Sequence, residues 1–213
     1  MALTEAQAGE SGDGARFEIL VAAADCFAER GYAVTSIDDV ARRLGATKGR
    51  VYHHFQSKAD LFAQIFRTGM EMNFEIGAPL RQLQGRAIDA WKAMAKAHVK
   101  QMIATRPFQR SVWEGVEMHL RGSTTPEQRL VLSELIELRN RYSRLFRDVI
   151  IRARDEGDMH FDNMSIANQM MFMTLNSPIF WYSKRANETR EETDNIVDQV
   201  VAFALRGLGG TVE

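Results

Sequence analysis

Four side chains within a short basic segment have the types and spacing needed to contact nucleic acid. They are Lys48, Arg50, Tyr52 and His53. The ammonium, guanidinium and imidazole groups donate hydrogen bonds, and the phenol adds a ring that can stack. Such groups suit the phosphates and base edges of a DNA major groove. A helix that exposes these four side chains is therefore predicted to contact DNA.

The surrounding stretch has a single sign of charge. From Val40 to Lys58 the sequence contains five basic residues and no acidic one. The basic residues are Arg42, Arg43, Lys48, Arg50 and Lys58. Such a surface attracts a polyanion because binding releases condensed counterions. The alternative is a pair of solvated basic helices without a ligand, since a helix-glycine-helix pattern also occurs by chance.

A capped amphipathic helix is predicted just before this segment. Apolar residues recur there at i, i+3, i+4 and i+7, which is the spacing of one helix face. They are Ile37, Val40, Ala41 and Leu44. Ser36 and Asp39 form a capping-box pattern that also suits the positive end of the helix dipole. Gly45 is expected to end this helix.

The basic segment itself is predicted to be a second short helix. Thr47 can cap it, and the helix then runs through His54. Val51 and Phe55 are spaced to face inward. Two short helices joined by a short turn that contains glycine make a helix-turn-helix.

The run from Phe27 to Phe62, FAERGYAVTSIDDVARRLGATKGRVYHHFQSKADLF, resembles the N-terminal DNA-binding domain of the TetR family of transcriptional regulators. The shared pattern is Phe-Ala-Glu-x-Gly, then Thr-Ser-Ile, Val-Ala and Gly, and then Tyr-x-His-Phe-x-Ser-Lys-x-x-Leu. The resemblance implies an all-α homodimer that dimerises through its last two helices. The DNA-binding domains of its two protomers would each contact one half-site of an operator.

The resemblance also implies which residues approach DNA. They are Thr35, Lys48, Gly49, Arg50, Tyr52, His53, His54 and Lys58. Tyr52 and Lys58 are expected to contact phosphate. Lys48 and Arg50 are expected to affect which DNA sequence is bound, and this role follows less directly from the resemblance because both positions vary within the family. Lys58 lies in the first turn of the next helix, where backbone N–H groups and an ammonium could grip one phosphate together.

The composition is that of an ordinary globular chain. Of the 213 residues, 45% are hydrophobic and 26% charged, and the net charge of −1 makes the basic patch a local feature. Cys26 is the single cysteine, so no internal disulfide is expected and a reducing cytoplasm fits. A buried structural thiol is favoured there over a nucleophile. No apolar run approaches the roughly twenty residues that span a bilayer, so no membrane partner is expected.

An all-α fold with two functional parts is predicted, because prolines are few and helix-forming residues are many. The polar, acidic and Gly-rich residues 1–14 are expected to be disordered and not a signal peptide. The helix-turn-helix domain covers residues 15–60, and a connecting helix covers 61–77. A larger ligand-binding and dimerisation domain covers 78–213, with the boundary at Gly77-Ala78-Pro79.

Helices are predicted along the whole chain from capping patterns and apolar spacing. Besides the two motif helices, they run from Arg16 to Arg30, Ser57 to Gly77, Leu83 to Arg106, Phe108 to Leu120, Thr125 to Asp155, Asn163 to Ser183 with an interruption at Pro178, and Thr189 to Leu208. The last two are more apolar than one small domain needs. A homodimer that buries them against a second copy explains the excess.

A pocket for a small apolar effector is expected within the larger domain. Its candidate lining is Trp91, Met94, His98, Trp113, Met118, Tyr142, Phe172, Met173 and Asn176. Methionine suits varied apolar ligands because its thioether is flexible. The alternative for each of these residues is an ordinary place in the core. The pattern Leu175-Asn176, Trp181-Tyr182 and Leu205-Arg206-Gly207-Leu208 resembles TetR-type regulators of lipid and steroid breakdown that respond to acyl-CoA thioesters.

Other classes of function are less consistent with the residues. His98, His119 and His160 lack the helical spacing of a preformed metal site, so neither a metal nor a cofactor is expected. A nucleophile elbow, a phosphate loop and a metalloprotease motif are all missing, which argues against an enzyme. A helical carrier without specific DNA binding is the remaining alternative. The favoured interpretation is a dimeric repressor that leaves a palindromic operator when it binds a small apolar effector.

Overall fold

The computed structural model describes residues 11–122 and 125–211, and within these ranges the fold is all-α, without a strand, as predicted. The helices are α1 Ser11–Arg30, α2 Ile37–Arg43, α3 Lys48–His54, α4 Lys58–Gly77, α5 Ala87–Ala104, α6 Arg106–Arg121, α7 Pro126–Asp155, α8 Met164–Asn176, α9 Pro178–Trp181 and α10 Arg190–Gly207. A short 3-10 helix, Pro79–Gln82, lies between α4 and α5. No described helix has the length and apolar character to cross a membrane.

Several helix starts predicted from local pattern are confirmed. At α2, Ser36 and Asp39 exchange both hydrogen bonds of a capping box. Thr189 and Glu192 do the same at α10. Before α7, the Thr125 hydroxyl accepts from the N–H of Gln128 at 3.2 Å, and the Gln128 side chain accepts from the N–H of Thr125 at 3.3 Å. Each motif satisfies N–H groups that a helix start leaves without an intrahelical partner.

The start of α1 differs from the prediction. The helix begins at Ser11, so residues 11–14 of the segment expected to be disordered are helical. Asp13 lies in the first turn, where a carboxylate interacts favourably with the helix dipole and offsets the cost of Gly14. The rest of the expected disordered tail, residues 1–10, lies outside the described residues.

Two later boundaries also differ. The helix predicted from Leu83 begins only at Ala87, because Gly85 adopts a positive φ of 111° that a continuing helix does not allow. The next helix begins at Arg106, two residues earlier than predicted, with Pro107 within its first turn. Proline is tolerated there because the first N–H groups of a helix need no intrahelical acceptor. Pro178 interrupts the last apolar stretch as predicted, since α8 ends at Asn176 and α9 begins at the proline.

The described chain forms two compact units. The first comprises the residues up to Gly69 together with Pro107–Ile136, and the second comprises Met70–Arg106 together with the residues from Glu137. This division differs from the predicted boundary at 77–79, because α4 and α7 each contribute residues to both units. The ends of long helices therefore do not mark the limits of the two cores.

The first unit contains the helix-turn-helix. Contacts between α1 and α2 and between α2 and α3 hold it together. Its fully buried side chains include Ile19, Phe27, Val51, Phe55, Leu61, Ile65 and Phe66. Gly115 of α6 brings that helix close to α4, since a Cβ atom at this glycine would lie 2.7 Å from the ring of Phe66. Phe17 and Phe108 stack at 6.2 Å between ring centroids.

The second unit has its own core, built mainly where α5, α8 and α10 contact one another. Its fully buried side chains include Trp91, Met94, Phe146, Val149, Ile150, Leu175 and Val197. Within this unit Trp91 donates its indole N–H to Met171 Sδ at 3.2 Å. Each unit therefore buries an apolar core large enough to fix the side chains on its surface.

Candidate nucleic-acid interface

The outward side of α3 presents most of the side chains that the sequence nominated for DNA. Val51 and Phe55 are almost fully buried and fix the orientation of this helix. The opposite side is exposed over residues 47–50, 52 and 53, whereas His54 is half-buried. The exposed side chains are those of Thr47, Lys48, Arg50, Tyr52 and His53. The predicted grouping of donors and a ring on one helix surface is therefore present.

The start of α3 corrects one detail. Thr47 occupies the N-cap position with an extended backbone, as predicted, but its hydroxyl makes no capping hydrogen bond. The residue is exposed, so water competes for the N–H groups of the first turn. The Thr47 hydroxyl consequently remains available on the same surface as Lys48.

Gly49 has no steric reason to be glycine within the folded chain. A Cβ atom there would meet only Thr47 Oγ1, at an ordinary contact distance of 3.8 Å. Glycine within a helix costs up to about 1 kcal/mol relative to alanine. A residue without a side chain at an exposed helix position favours the close approach of a partner's backbone.

The cations of this surface are paired with carboxylates that lie outside the basic segment from Val40 to Lys58. Lys48 Nζ donates to Asp38 Oδ2 at 3.0 Å, and Arg50 donates to Glu18 Oε2 at 2.9 Å. The hydrogen bond and charge of Asp38 raise the pKa of Lys48. The basic segment from Val40 to Lys58, considered alone, does not reveal these partners, because they come from α1 and from the first turn of α2.

The other two arginines of this basic segment are also paired with carboxylates. Arg43 donates to Glu29 Oε1 at 2.5 Å, and Arg42 donates to Asp39 Oδ1 at 3.0 Å. Hydrogen bonds from the Ser36 hydroxyl and backbone, followed by the Arg30 guanidinium, hold the pKa of Asp39 far below its usual range.

Thr35, which was also expected to approach DNA, is buried in the DNA-free chain. Its side chain is 1% exposed, and the hydroxyl donates to the carbonyl of Gly31 at 2.8 Å and to that of Cys26 at 3.2 Å. Cys26 lies in the penultimate turn of α1, and Gly31 directly follows the helix. The hydroxyl of Thr35 therefore stabilises the turn between α1 and α2.

Lys58 is also engaged within the protein. Its ammonium donates to the carbonyl of Tyr32 at 2.8 Å and to that of Thr35 at 3.0 Å. The same nitrogen lies 4.3 Å from the centroid of the Tyr32 ring, a cation–π distance. A phosphate would have to share this ammonium with the turn. The residue therefore positions the turn in addition to any contact with DNA.

Glu114 is a member of this arrangement that the sequence did not reveal. Its Oε1 accepts a hydrogen bond from the backbone N–H of Tyr32 at 2.6 Å. Burial raises the pKa of this carboxyl, and the hydrogen bond from Tyr32 opposes that rise. Because the two residues are far apart in the chain, no local pattern could have paired them.

Comparison with protein-family models agrees with this geometry. Residues 19–65 match the model described as bacterial regulatory proteins, tetR family. Residues 85–208, which are more than half of the chain, match the model described as tetracyclin repressor-like, C-terminal domain. The chain belongs to the TetR family. It is thus a helix-turn-helix transcriptional regulator, as the resemblance implied.

Named TetR-family relatives include two repressors called KstR2. The chain is 25% identical to the Rhodococcus jostii protein over 196 residues, which cover 92% of this chain and 91% of that protein. It is 32% identical to the Mycobacterium tuberculosis protein over 103 residues, which cover 45% of this chain and 52% of that protein. The latter match therefore spans about half of its relative's length.

Solved structures of TetR-family proteins have the same fold. The regulator PfmR from Thermus thermophilus superposes with a TM-score of 0.72 and 26% identity, covering 89% of this chain and 98% of that one. AibR, solved in complex with isovaleryl coenzyme A and operator DNA, superposes with a TM-score of 0.70 and 20% identity, covering 89% and 97%. At 20% identity the second likeness establishes the fold alone.

The residues predicted to line an effector pocket are assigned to both compact units. Trp113 and Met118 belong to the first unit, where Met118 lines an apolar cavity of about 260 Å³. Met173 is exposed on α8. Helical spacing does not indicate which of the two units a residue joins.

The remaining predicted pocket residues share the core of the second unit. They are Trp91, Met94, His98, Tyr142, Phe172 and Asn176. His98 Nδ1 lies 3.1 Å from Tyr142 Oη, and His98 Nε2 lies 2.8 Å from Asn176 Oδ1. The partners favour a tautomer in which Tyr142 donates to Nδ1 and Nε2 donates to Asn176. Burial lowers the pKa of His98 to about 4, so the ring is neutral near pH 7.

The three histidines considered for a metal are His98, His119 and His160. His98 is enclosed by Tyr142, Phe146 and Phe172 at ring-centroid distances of 5.6–5.8 Å. The described residues contain no group of three or more His, Cys, Asp or Glu side chains placed to hold a metal ion.

Proposed function

We propose that this TetR-family regulator is a repressor that binds a palindromic operator as a homodimer and leaves it when a small apolar effector binds. The observation that carries the DNA-binding role is the exposed surface of α3, with Lys48, Arg50, Tyr52 and His53 around the side-chain-free Gly49. Guanidinium and ammonium groups there are suited to guanine edges and phosphates in a major groove. A role on chromosomal DNA also implies a cytoplasmic location.

A homodimer is supported by a second surface, formed by α8, α9 and α10. Ile166, Met170, Met173, Trp181 and Phe203 are between 48% and 68% exposed. Met173, Trp181 and Phe203 line a groove whose other walls include Ile196 and Val200. Monomeric proteins rarely expose large apolar patches without a partner. A second copy of the same surface would bury this patch, and a two-fold dimer matches a palindromic operator.

The effector is proposed to act in the second unit, near the hydrogen-bonded chain from Tyr142 through His98 to Asn176. These groups are the polar part of an otherwise aromatic and methionine-rich core. An apolar ligand with a carbonyl could replace one of these hydrogen bonds while its hydrocarbon part replaces side-chain packing. AibR, whose structure contains isovaleryl coenzyme A, makes an acyl-CoA thioester the first class to test.

Effector and DNA must weaken each other's binding by the same factor if they favour different conformations of the dimer. This reciprocity gives a direct check on any effector candidate. A compound that releases DNA should bind the DNA-free protein more tightly than the complex.

The decisive experiment is fluorescence anisotropy of the protein against the DNA upstream of its own gene, titrated over salt, with an unrelated duplex as control. Preferential binding that weakens steeply with salt is expected, and acyl-CoA thioesters of increasing chain length can then be screened for release. Equal binding to both duplexes would place the operator elsewhere. Failure to bind any DNA at low salt would contradict the proposal and favour a helical carrier.

A further inference from the structure

The two cations best placed to read DNA are already paired with carboxylates in the folded chain. Lys48 is paired with Asp38 at 3.0 Å, and Arg50 is paired with Glu18 at 2.9 Å. Asp38 lies ten residues before its partner and Glu18 lies thirty-two before, so two different helices deliver these carboxylates to α3. A carboxylate presents to a guanidinium or ammonium much the same charge and acceptors as a phosphate does.

Neither pair is buried. The four side chains are between 41% and 64% exposed, so solvent screens each pair. Exposed ion pairs are weak, because solvent screens the attraction and holding two long side chains together costs entropy. DNA that contacts Arg50 or Lys48 can therefore displace the carboxylate, at a small cost in affinity.

We propose that Glu18 and Asp38 are intramolecular competitors of DNA for the cations of α3. They pair with Arg50 and Lys48 in the free protein, so any DNA that contacts these cations must first displace a carboxylate. The free protein is the common starting state, so this displacement costs operator and unrelated DNA about the same. The two acids thus lower affinity for both kinds of DNA by a similar factor. This inference rests on the proposed function, because it assumes that α3 reads the operator.

The alternative is that any negative charge on this part of the protein repels DNA, whichever cation it accompanies. Asp13 provides a matched control for that effect. It is an exposed acid in the first turn of α1, the helix that carries Glu18, and takes part in neither pair. Changing Asp13 to Asn removes the same charge as changing Glu18 to Gln.

The test measures the affinity of the full-length protein for its upstream DNA and for an unrelated duplex, over a range of salt. The variants are Glu18→Gln, Asp38→Asn and the control Asp13→Asn, with circular dichroism to verify folding. Glu18→Gln and Asp38→Asn are each expected to tighten binding to unrelated DNA about two- to fivefold, and to steepen the salt dependence by up to about one phosphate contact. Operator binding should tighten by a similar factor, so the ratio between the two affinities should stay nearly constant.

A second arm asks whether Glu18 acts through Arg50. In an Arg50→Ala background, Glu18→Gln should change binding to unrelated DNA no more than Asp13→Asn does. An equal gain with and without Arg50, or a gain from Asp13→Asn as large as from Glu18→Gln, would overturn the inference.

The outcomes separate this inference from the proposed function. A parent protein that prefers its operator, with variants that behave as the control does, overturns the inference alone. A parent that binds no DNA at low salt overturns the repressor proposal and the role of these acids together.

Discussion

Glu114 of α6 accepts the backbone N–H of Tyr32 at 2.6 Å, and the carbonyl of the same Tyr32 accepts from Lys58 of α4 at 2.8 Å. The turn between α1 and α2 is thereby held through both polar groups of one peptide residue. The Tyr32 ring adds contacts to Phe27 and Phe62 at ring-centroid distances of 5.6 and 4.8 Å. Because Thr35 closes the same turn, the position of α2 and α3 depends on residues outside the motif itself.

Replacing Glu114 with alanine should destabilise the first unit by about 1–3 kcal/mol, because the half-buried N–H of Tyr32 loses its acceptor. Glu114→Gln keeps an acceptor and should cost less. Urea denaturation, followed alongside anisotropy with operator and unrelated DNA, measures both consequences. We expect the alanine variant to weaken binding to both duplexes by a similar factor.

Glu117→Ala is the matched control, since Glu117 lies on the same helix and pairs with Arg121 at 3.3 Å. Equal losses of stability in the Glu114 and Glu117 alanine variants would show that the contact with Tyr32 does not stabilise the unit.

Gly49→Ala should separate stability from DNA binding. The added Cβ atom meets nothing closer than 3.8 Å, and alanine favours helix, so the folded state should be unchanged or up to about 1 kcal/mol more stable. DNA affinity should nevertheless fall, because a methyl group would stand between α3 and a closely approaching backbone. Thermal unfolding and anisotropy on the same preparation test this.

Gly14→Ala serves as the control for helix propensity, since Gly14 is also helical and a Cβ atom there meets nothing within 4 Å. If Gly49→Ala binds operator as tightly as Gly14→Ala does, α3 does not approach DNA at this residue.

Local interactions explain what the sequence could predict. The capping boxes at Ser36 and Thr189 use partners three residues apart, so the motif is visible in the sequence itself. The inward orientation of Val51 and Phe55 follows from helical spacing and is confirmed by their burial. The helix-turn-helix could be predicted because it consists almost entirely of such short-range features.

Long-range pairing explains what the sequence could not predict. The electrostatic surroundings of Arg50 depend on Glu18, and the role of Lys58 depends on carbonyls of a distant turn. The basic segment from Val40 to Lys58 contains no information about these partners. The assignment of Trp113 and Met118 to the first unit likewise depends on contacts between residues far apart in the sequence.

His98 should make the second unit sensitive to mild acid. Its pKa is lowered from an ordinary value of 6.5 to about 4. The unfolded chain therefore binds a proton at this histidine below pH 6.5, whereas the folded chain binds it only near pH 4. Stability is therefore fully present above pH 6.5 and falls as the pH falls through that range. Between pH 7 and pH 5 the loss should be roughly 2 kcal/mol.

The measurement is the free energy of unfolding at these two pH values for the parent, for His98→Gln and for His53→Gln, whose histidine is exposed on α3. The His98 variant should be less stable at pH 7 but should lose roughly 2 kcal/mol less than the parent on acidification. If parent and His98→Gln lose the same amount, His98 is not the residue that resists protonation.

The apolar surface of α8 and α10 should be the dimer interface. Phe203→Glu places a charge at a side chain that is 68% exposed in the single chain, so it should cost a monomer little but should strongly oppose burial against a second copy. Sedimentation velocity should show a shift from dimer to monomer at micromolar protein. Operator affinity should fall more than affinity for unrelated DNA, because a monomer has one DNA-binding domain and contacts only one half-site.

Leu120→Glu is the control, since Leu120 is 77% exposed on α6 and lies outside the groove between α8 and α10. It should remain dimeric. If Phe203→Glu sediments as Leu120→Glu does, the two-fold contact must be made elsewhere, and the groove lined by Met173 and Trp181 would need a different partner. If both variants are monomeric, added negative charge rather than the apolar surface would account for the loss.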